Sequence, residues 1–183
     1  MAQDAQIPDP HIIWPKAGAP AKSLVFAQNI IEVAATPDVV WRLLLDCTRW
    51  PSWYRHCAEV SILRGGPILG ANSQFRFKTI GFYFEPEITA FQPSRMLVWS
   101  AKGPAGTRGA HAWYIEPTAG GCRVITEEAQ QGLLLHLVRR RTRLTLLESH
   151  QEWLQSLKAL AEAEPPPPNG DGADTFANTG ADQ

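Results

Sequence analysis

Cysteine is scarce and unpaired in this chain: Cys47, Cys57 and Cys122 form an odd set with no C-x-x-C spacing. That argues against a disulfide framework or a cysteine-based metal site and fits a reducing cytoplasm. Charge of one sign is missing as well, since 17 Lys and Arg offset 18 Asp and Glu to leave a formal net charge of -1. Without bulk attraction for phosphates no nucleic-acid partner is expected, and a small neutral or weakly charged partner suits the chain better. No apolar run approaches the roughly 20 residues that cross a bilayer. Asp4 and Pro8 occupy the stretch where a secretory signal needs a basic start and an apolar core. A soluble, cytoplasmic protein is the expectation. Several enzyme signatures are also absent: no Gly-x-Gly-x-x-Gly joins strand to helix, and no phosphate loop, His-Glu-x-x-His or Gly-x-Ser-x-Gly occurs. Neither a cofactor nor a metal ligand set is expected from spacing along the chain.

What is present suits one compact domain, because 183 residues with 44% hydrophobic and 19% charged content can bury a core of useful size. Residues 1–22 read as a poorly ordered N-terminal arm whose apolar triplet Ile12-Ile13-Trp14 can pack on the domain or extend a sheet edge. From Pro165 onward the chain has too little apolar content to offset its ordering entropy, so residues 164–183 read as a disordered tail. The domain, 23–163, divides into a strand over 24–34, a helix over 37–47 and a short helix near 50–56. Strands follow near 58–64, 72–79, 82–91, 95–102, 108–117 and 122–130, then a long helix from about 133 to 163. Gly65-Gly66-Pro67, Gln92-Pro93-Ser94 and Gly120-Gly121 are among the turns that punctuate the β-rich runs. Short turns between successive strands imply an antiparallel meander, and the economical architecture is an α+β curved sheet gripping the last helix.

The most specific stretch is Ala35-Thr36-Pro37-Asp38-Val39-Val40-Trp41-Arg42-Leu43-Leu44-Leu45-Asp46 followed by Trp50-Pro51-Ser52-Trp53. Thr36 and Pro37 supply a helix start, Val40, Trp41, Leu44 and Leu45 share a face, and Trp50-Pro51 ends the pattern. This run resembles the START-like, Bet v 1-like superfamily in its polyketide cyclase/dehydrase and lipid-transport branch. The resemblance continues through His111-Ala112-Trp113, Gly120-Gly121-Cys122-Arg123-Val124 and Glu127-Glu128 to the final helix, covering residues 24–163. It implies a helix-grip fold: a curved antiparallel sheet around a long C-terminal helix, with two short helices after the first strand. It also implies an apolar pocket between sheet and helix. The fold hosts carriers and cyclases alike, so the ligand is not implied.

Charge pairing sets a register for the last two strands. Placing Glu116 opposite Arg123 sets Ile115 against Val124, Trp113 against Thr126 and His111 against Glu128. These residues then share one face, taken as the concave one. His111 facing Glu128 is a candidate acid/base pair, since a carboxylate can orient the ring and raise its pKa toward neutrality. Equally, the two can satisfy each other and perform no chemistry. Phe75, Phe77, Phe84, Trp99, Trp113 and Thr126 are candidate ligand-lining residues, with Trp53 and Tyr54 beside the entrance where His56 is a further gate candidate. On the last helix Leu146, Leu147, His150, Trp153, Leu154 and Leu157 recur at helical spacing and place His150 and Trp153 toward the pocket. The run Leu133 to Val138 followed by Arg139, Arg140, Arg141 and Arg143 suits an acidic carrier protein or an anionic membrane surface. The leading function is binding of a hydrophobic small molecule such as a lipid, isoprenoid or aromatic polyketide-like compound. The alternative is a polyketide cyclase or dehydratase with His111 as acid/base, and the third is a partner-binding module acting through the arginines.

Overall fold

The structure, a computed structural model, describes residues 6–16 and 18–164. Its first strand, β1 (Val25–Val33), runs into helix α1 (Pro37–Leu45) and a 3₁₀ turn, Cys47–Ser52. Thr36 starts α1 through its backbone, its carbonyl accepting from the Val39 and Val40 N–H groups, while its hydroxyl makes no capping bond. The short helix expected at 50–56 is this earlier 3₁₀ turn, because Pro51 lies within it and the chain leaves helical geometry at Trp53.

The meander follows as β2 (Cys57–Arg64), β3 (Gln74–Thr79), β4 (Phe82–Phe84), β5 (Glu87–Gln92), β6 (Met96–Lys102), β7 (Arg108–Thr118) and β8 (Gly121–Gln131), and α2 (Leu135–Ala163) closes the domain. The strand expected over 82–91 is divided. Pro86 cannot donate to a ladder, so β4 turns back on β3 while β5 carries the sheet onward to β6. The strands form one antiparallel sheet in the order β1-β8-β7-β6-β5-β3-β2, with β4 attached to β3. Its curl and the α2 helix make the expected helix-grip architecture. The register of β7 on β8 is the one read from charge: Glu116 faces Arg123, Trp113 faces Thr126 and His111 faces Glu128.

The concave face of the sheet and α2 enclose the main core, built on Trp50, Phe75, Trp99, Trp113, Trp153 and Leu157 among others. A second, smaller core lies on the opposite face. There Met96, Val98, Ala112, Tyr114 and Ile125 are covered by Ile12 and Trp14 of the N-terminal segment. This double cover explains why Met96 to Trp99 and Ala110 to Ile115 are buried without alternation, although an antiparallel sheet usually wets one face.

The N-terminal segment also blunts the free edge of β1. The Gln6 side-chain amide donates to the Gln28 carbonyl at 2.6 Å and its oxygen accepts the Gln28 N–H at 2.9 Å, imitating a paired strand. Arg143 of α2 completes the edge by donating to the Phe26 carbonyl at 3.0 Å. Of the four arginines expected to meet a partner, Arg143 is therefore held by the fold, whereas Arg139, Arg140 and Arg141 are exposed.

Under this segment lies Glu127, fully buried on the outer face. Its Oε1 accepts the Asp9 N–H at 2.7 Å and the Gln28 side-chain N–H at 2.6 Å, and its Oε2 has no partner among the described residues. Burial pushes the Glu127 carboxyl up from 4.5 against those two hydrogen bonds. Between the unfolded and the raised folded pKa the folded state holds a proton that the unfolded chain has lost. Its contribution to stability is present below pH 4.5 and declines as the pH rises through the folded value. Urea midpoints measured from pH 4.5 to neutrality should thus show a decline that Glu127→Gln removes; equal slopes in both proteins would contradict the assignment.

Candidate functional site

The site begins with alternation on two neighbouring strands. Residues 111 and 113 of β7 and residues 126, 128 and 130 of β8 point to the concave side because side chains two apart share a face. His150 and Trp153 of α2 descend on them from above, both buried. His111 is enclosed by rings, with Trp99 at 4.7 Å, His150 at 4.7 Å and Trp153 at 5.7 Å between centroids.

At the centre is Glu128. Its Oε2 lies 3.4 Å from His111 Nδ1 and 3.2 Å from His150 Nε2, while Oε1 accepts from the Gln130 amide at 2.5 Å. His111 Nε2 lies 2.6 Å from Thr126 Oγ1. His111 thus meets Thr126 through a short hydrogen bond and Glu128 through a longer contact. His150 differs: its Nδ1 is buried with no partner among the described residues. The ligating atoms of His111, Glu128 and His150 lie within 4.8 Å of one another, so the fold assembles a potential metal ligand set that spacing along the chain does not display.

The electrostatics reverse one expectation. The sequence suggests that Glu128 raises the pKa of His111, yet burial and the neighbouring His150 outweigh the carboxylate and lower it to about 3. His111 is consequently neutral. Burial opposes ionisation of Glu128, but the hydrogen bonds from His150 and Gln130 prevail and hold its carboxyl below the usual range.

The aromatic candidates meet one another more than they surround space. Trp153 stacks on Tyr54 at 4.2 Å and meets Trp50 and Trp113 edge-on, each at 5.1 Å. Phe75 lies edge-on to Trp50 and Trp99, and Phe77 lies beside Phe84. Trp53 and Phe84 are only partly buried at the margin of this cluster. A surface cleft of about 220 Å³ opens beside it, lined by Trp53, Tyr54, Arg55, Glu152, Gln155 and Ser156. A larger open groove of about 1150 Å³ lies on the outer side of the sheet between polar residues such as Arg76, Glu87 and Lys102. Neither is bounded by Phe75, Phe77, Trp99 or Trp113. The gate candidates are also pinned: Tyr54 is buried, and His56 binds Glu152 of α2 at 2.8 Å beside its neighbour Arg55, which binds the same carboxylate at 2.5 Å.

Three indole N–H groups inside the cluster, those of Trp50, Trp113 and Trp153, have no hydrogen-bond partner among the described residues. Buried donors are rarely left so. Gln130 is the one polar neighbour of Glu128 that the sequence reading passed over, although it shares the face of Thr126 and Glu128 by simple alternation.

Residues 27–162 match the family described as polyketide cyclase / dehydrase and lipid transport, and the chain belongs to that family. A crystal structure of a hypothetical protein from Helicobacter pylori superposes with a TM-score of 0.75 at 25% identity, covering 86% of this chain and 99% of that one. The Zhui aromatase/cyclase from a Streptomyces species has a TM-score of 0.62 at 15% identity, with 75% and 93% covered. A START superfamily protein from Mycobacterium smegmatis gives 0.61 at 16%, with 75% and 97% covered. At these last identities the likeness is one of fold. No curated protein sequence matches the chain. None of the helices among the described residues is long and apolar enough to cross a membrane.

Proposed function

We propose that the protein binds a hydrophobic small molecule carrying oxygen acceptors, between the concave sheet and α2, with the Trp53–His56 turn moving to admit it. The carrying observation is the set of orphaned donors: three indole N–H groups have no partner among the described residues in an apolar aromatic cluster beside His150. A purely aliphatic ligand leaves each of them unsatisfied, whereas carbonyl or phenolic oxygens supply the missing acceptors. Large flat rings supply apolar contact with few rotamers to lose on binding. The family to which the chain belongs is described by polyketide cyclase / dehydrase activity and lipid transport, which supports a hydrophobic ligand.

Native mass spectrometry of the purified protein, with extraction of anything bound, tests this reading, together with tryptophan emission during titration with a polycyclic aromatic ketone. A stoichiometric adduct or saturable quenching is expected. No adduct and unchanged emission over the soluble range would overturn the proposal.

A second reading, cyclisation or dehydration of a poly-β-ketone, draws on one specific observation. His150 is oriented by Glu128 through one nitrogen while the other has no partner among the described residues, which is the arrangement a general acid/base needs. The acid/base role expected of His111 passes in this reading to His150, because His111 Nε2 is held by Thr126 and its Nδ1 faces Glu128, whereas His150 Nδ1 has no partner among the described residues. With a poly-β-ketone as substrate, His150→Gln should abolish turnover while ligand-induced quenching persists. Full turnover in that variant would rule the reading out.

A further inference from the structure

Around Glu128 the contacts fall into two kinds. Those behind the cluster are short: His111 Nε2 to Thr126 Oγ1 at 2.6 Å and Gln130 Nε2 to Glu128 Oε1 at 2.5 Å. Those within it are long. Glu128 Oε2 stands 3.4 Å from His111 Nδ1 and 3.2 Å from His150 Nε2, beyond the roughly 2.7–2.9 Å of a charge-assisted hydrogen bond. One carboxylate oxygen thus faces two imidazoles at arm's length, and the two ring nitrogens stay within 4.8 Å of each other.

The two carboxylate–imidazole separations, 3.4 and 3.2 Å, have a simple geometric meaning, and the two imidazoles would close toward each other on an ion held between them. A tetrahedral ion bound at about 2.0–2.1 Å sets its ligand atoms roughly 3.3–3.4 Å apart along each edge. Two imidazoles and one carboxylate also form the donor set that suits zinc and its neighbours; calcium and magnesium favour all-oxygen sites. Thr126 and Gln130 hold the outer atoms of His111 and Glu128, as the supports behind metal ligands commonly do. Access is available from one side, since the Glu128 side chain retains 17% exposure while those of His111 and His150 retain 6% and 3%.

We propose that His111 through Nδ1, Glu128 through Oε2 and His150 through Nε2 bind a divalent transition-metal ion of the zinc type. Three protein ligands leave one coordination position for water or for an oxygen of a bound compound. The site does not rest on the ligand reading above, because it is tested with metal alone and no organic compound present.

The full-length protein, stripped with a chelator, is titrated with Zn²⁺ by calorimetry and with Co²⁺ by visible absorption. One equivalent is expected, with the d–d bands of four-coordinate Co²⁺ and no thiolate charge-transfer band. Thr126→Val should weaken affinity by about 10–100-fold, as loss of a supporting partner does. Glu128→Gln, nearly isosteric, should remove binding, as should His150→Gln, with folding of each variant checked by circular dichroism. A folded wild-type protein that takes up no equivalent would overturn the proposal. So would a thiolate band, or undiminished binding in folded Glu128→Gln.

Discussion

Trp153→Ala should lower the free energy of unfolding by about 3–5 kcal/mol, the range typical of deleting a large buried ring. Trp153 is 2% exposed and lies where α2 meets the sheet, against Trp50, Tyr54, Trp99, His111 and Trp113. Those neighbours come from the 3₁₀ turn, the segment after it, β6 and β7, so collapse into the vacated space would have to move several elements at once. Its indole N–H makes no hydrogen bond among the described residues, so the loss is one of packing and apolar burial alone. Trp153→Phe, which keeps a ring in place, should therefore cost markedly less. Urea denaturation of both variants measures the difference. A loss under about 1 kcal/mol for the alanine variant would mean that the ring does not pack as described.

The second large effect lies in a turn. Gly121 has φ +141°, and a Cβ placed there would fall well inside contact with the Val33 carbonyl oxygen and 2.8 Å from the Ala35 backbone nitrogen. Both obstacles are backbone, at the point where β1 ends beside the β7–β8 turn, and neither can rotate away. Gly121→Ala should accordingly destabilise the fold by about 2–4 kcal/mol, combining backbone strain with a forced shift of β1. Gly120→Ala is the control, since a Cβ there meets nothing within 4 Å. Thermal unfolding should separate the neighbours clearly, and similar melting temperatures for the two variants would refute the account of the turn.

Much of this arrangement is legible in the chain because it depends on short-range chemistry. The helix start at Thr36-Pro37, the turn residues between strands and the helical stripe from Leu146 to Leu157 each follow from local geometry. Even a tertiary feature, the register of β7 on β8, could be read. Opposite charges at Glu116 and Arg123 and apolar partners at Ile115 and Val124 agree on one alignment, and a one-residue slip would turn every one of them to the wrong face. The division of the strand over 82–91 is also encoded, in Pro86, which cannot donate to a ladder. The unbroken burial of Met96 to Trp99 likewise signals cover on both faces. Its meaning emerges only when Ile12 and Trp14 are seen on the outer side.

The sequence alone determined the fold class, the pairing of the last two strands and which of their residues share a face, because periodicity, turn chemistry and cross-strand charge act between residues near in sequence or aligned by a hairpin. Only the tertiary structure decided how those residues behave. His150 reaches Glu128 from a helix 22 residues further on, and burial, with the nearby His150, drives His111 to neutrality where the local pairing suggests the reverse. Whether aromatic rings enclose a space or fill it, and whether Arg143 meets a partner or a strand edge, are likewise set by what folds against them. Desolvation and packing depend on every neighbour in three dimensions, and a linear pattern reports only a few of them.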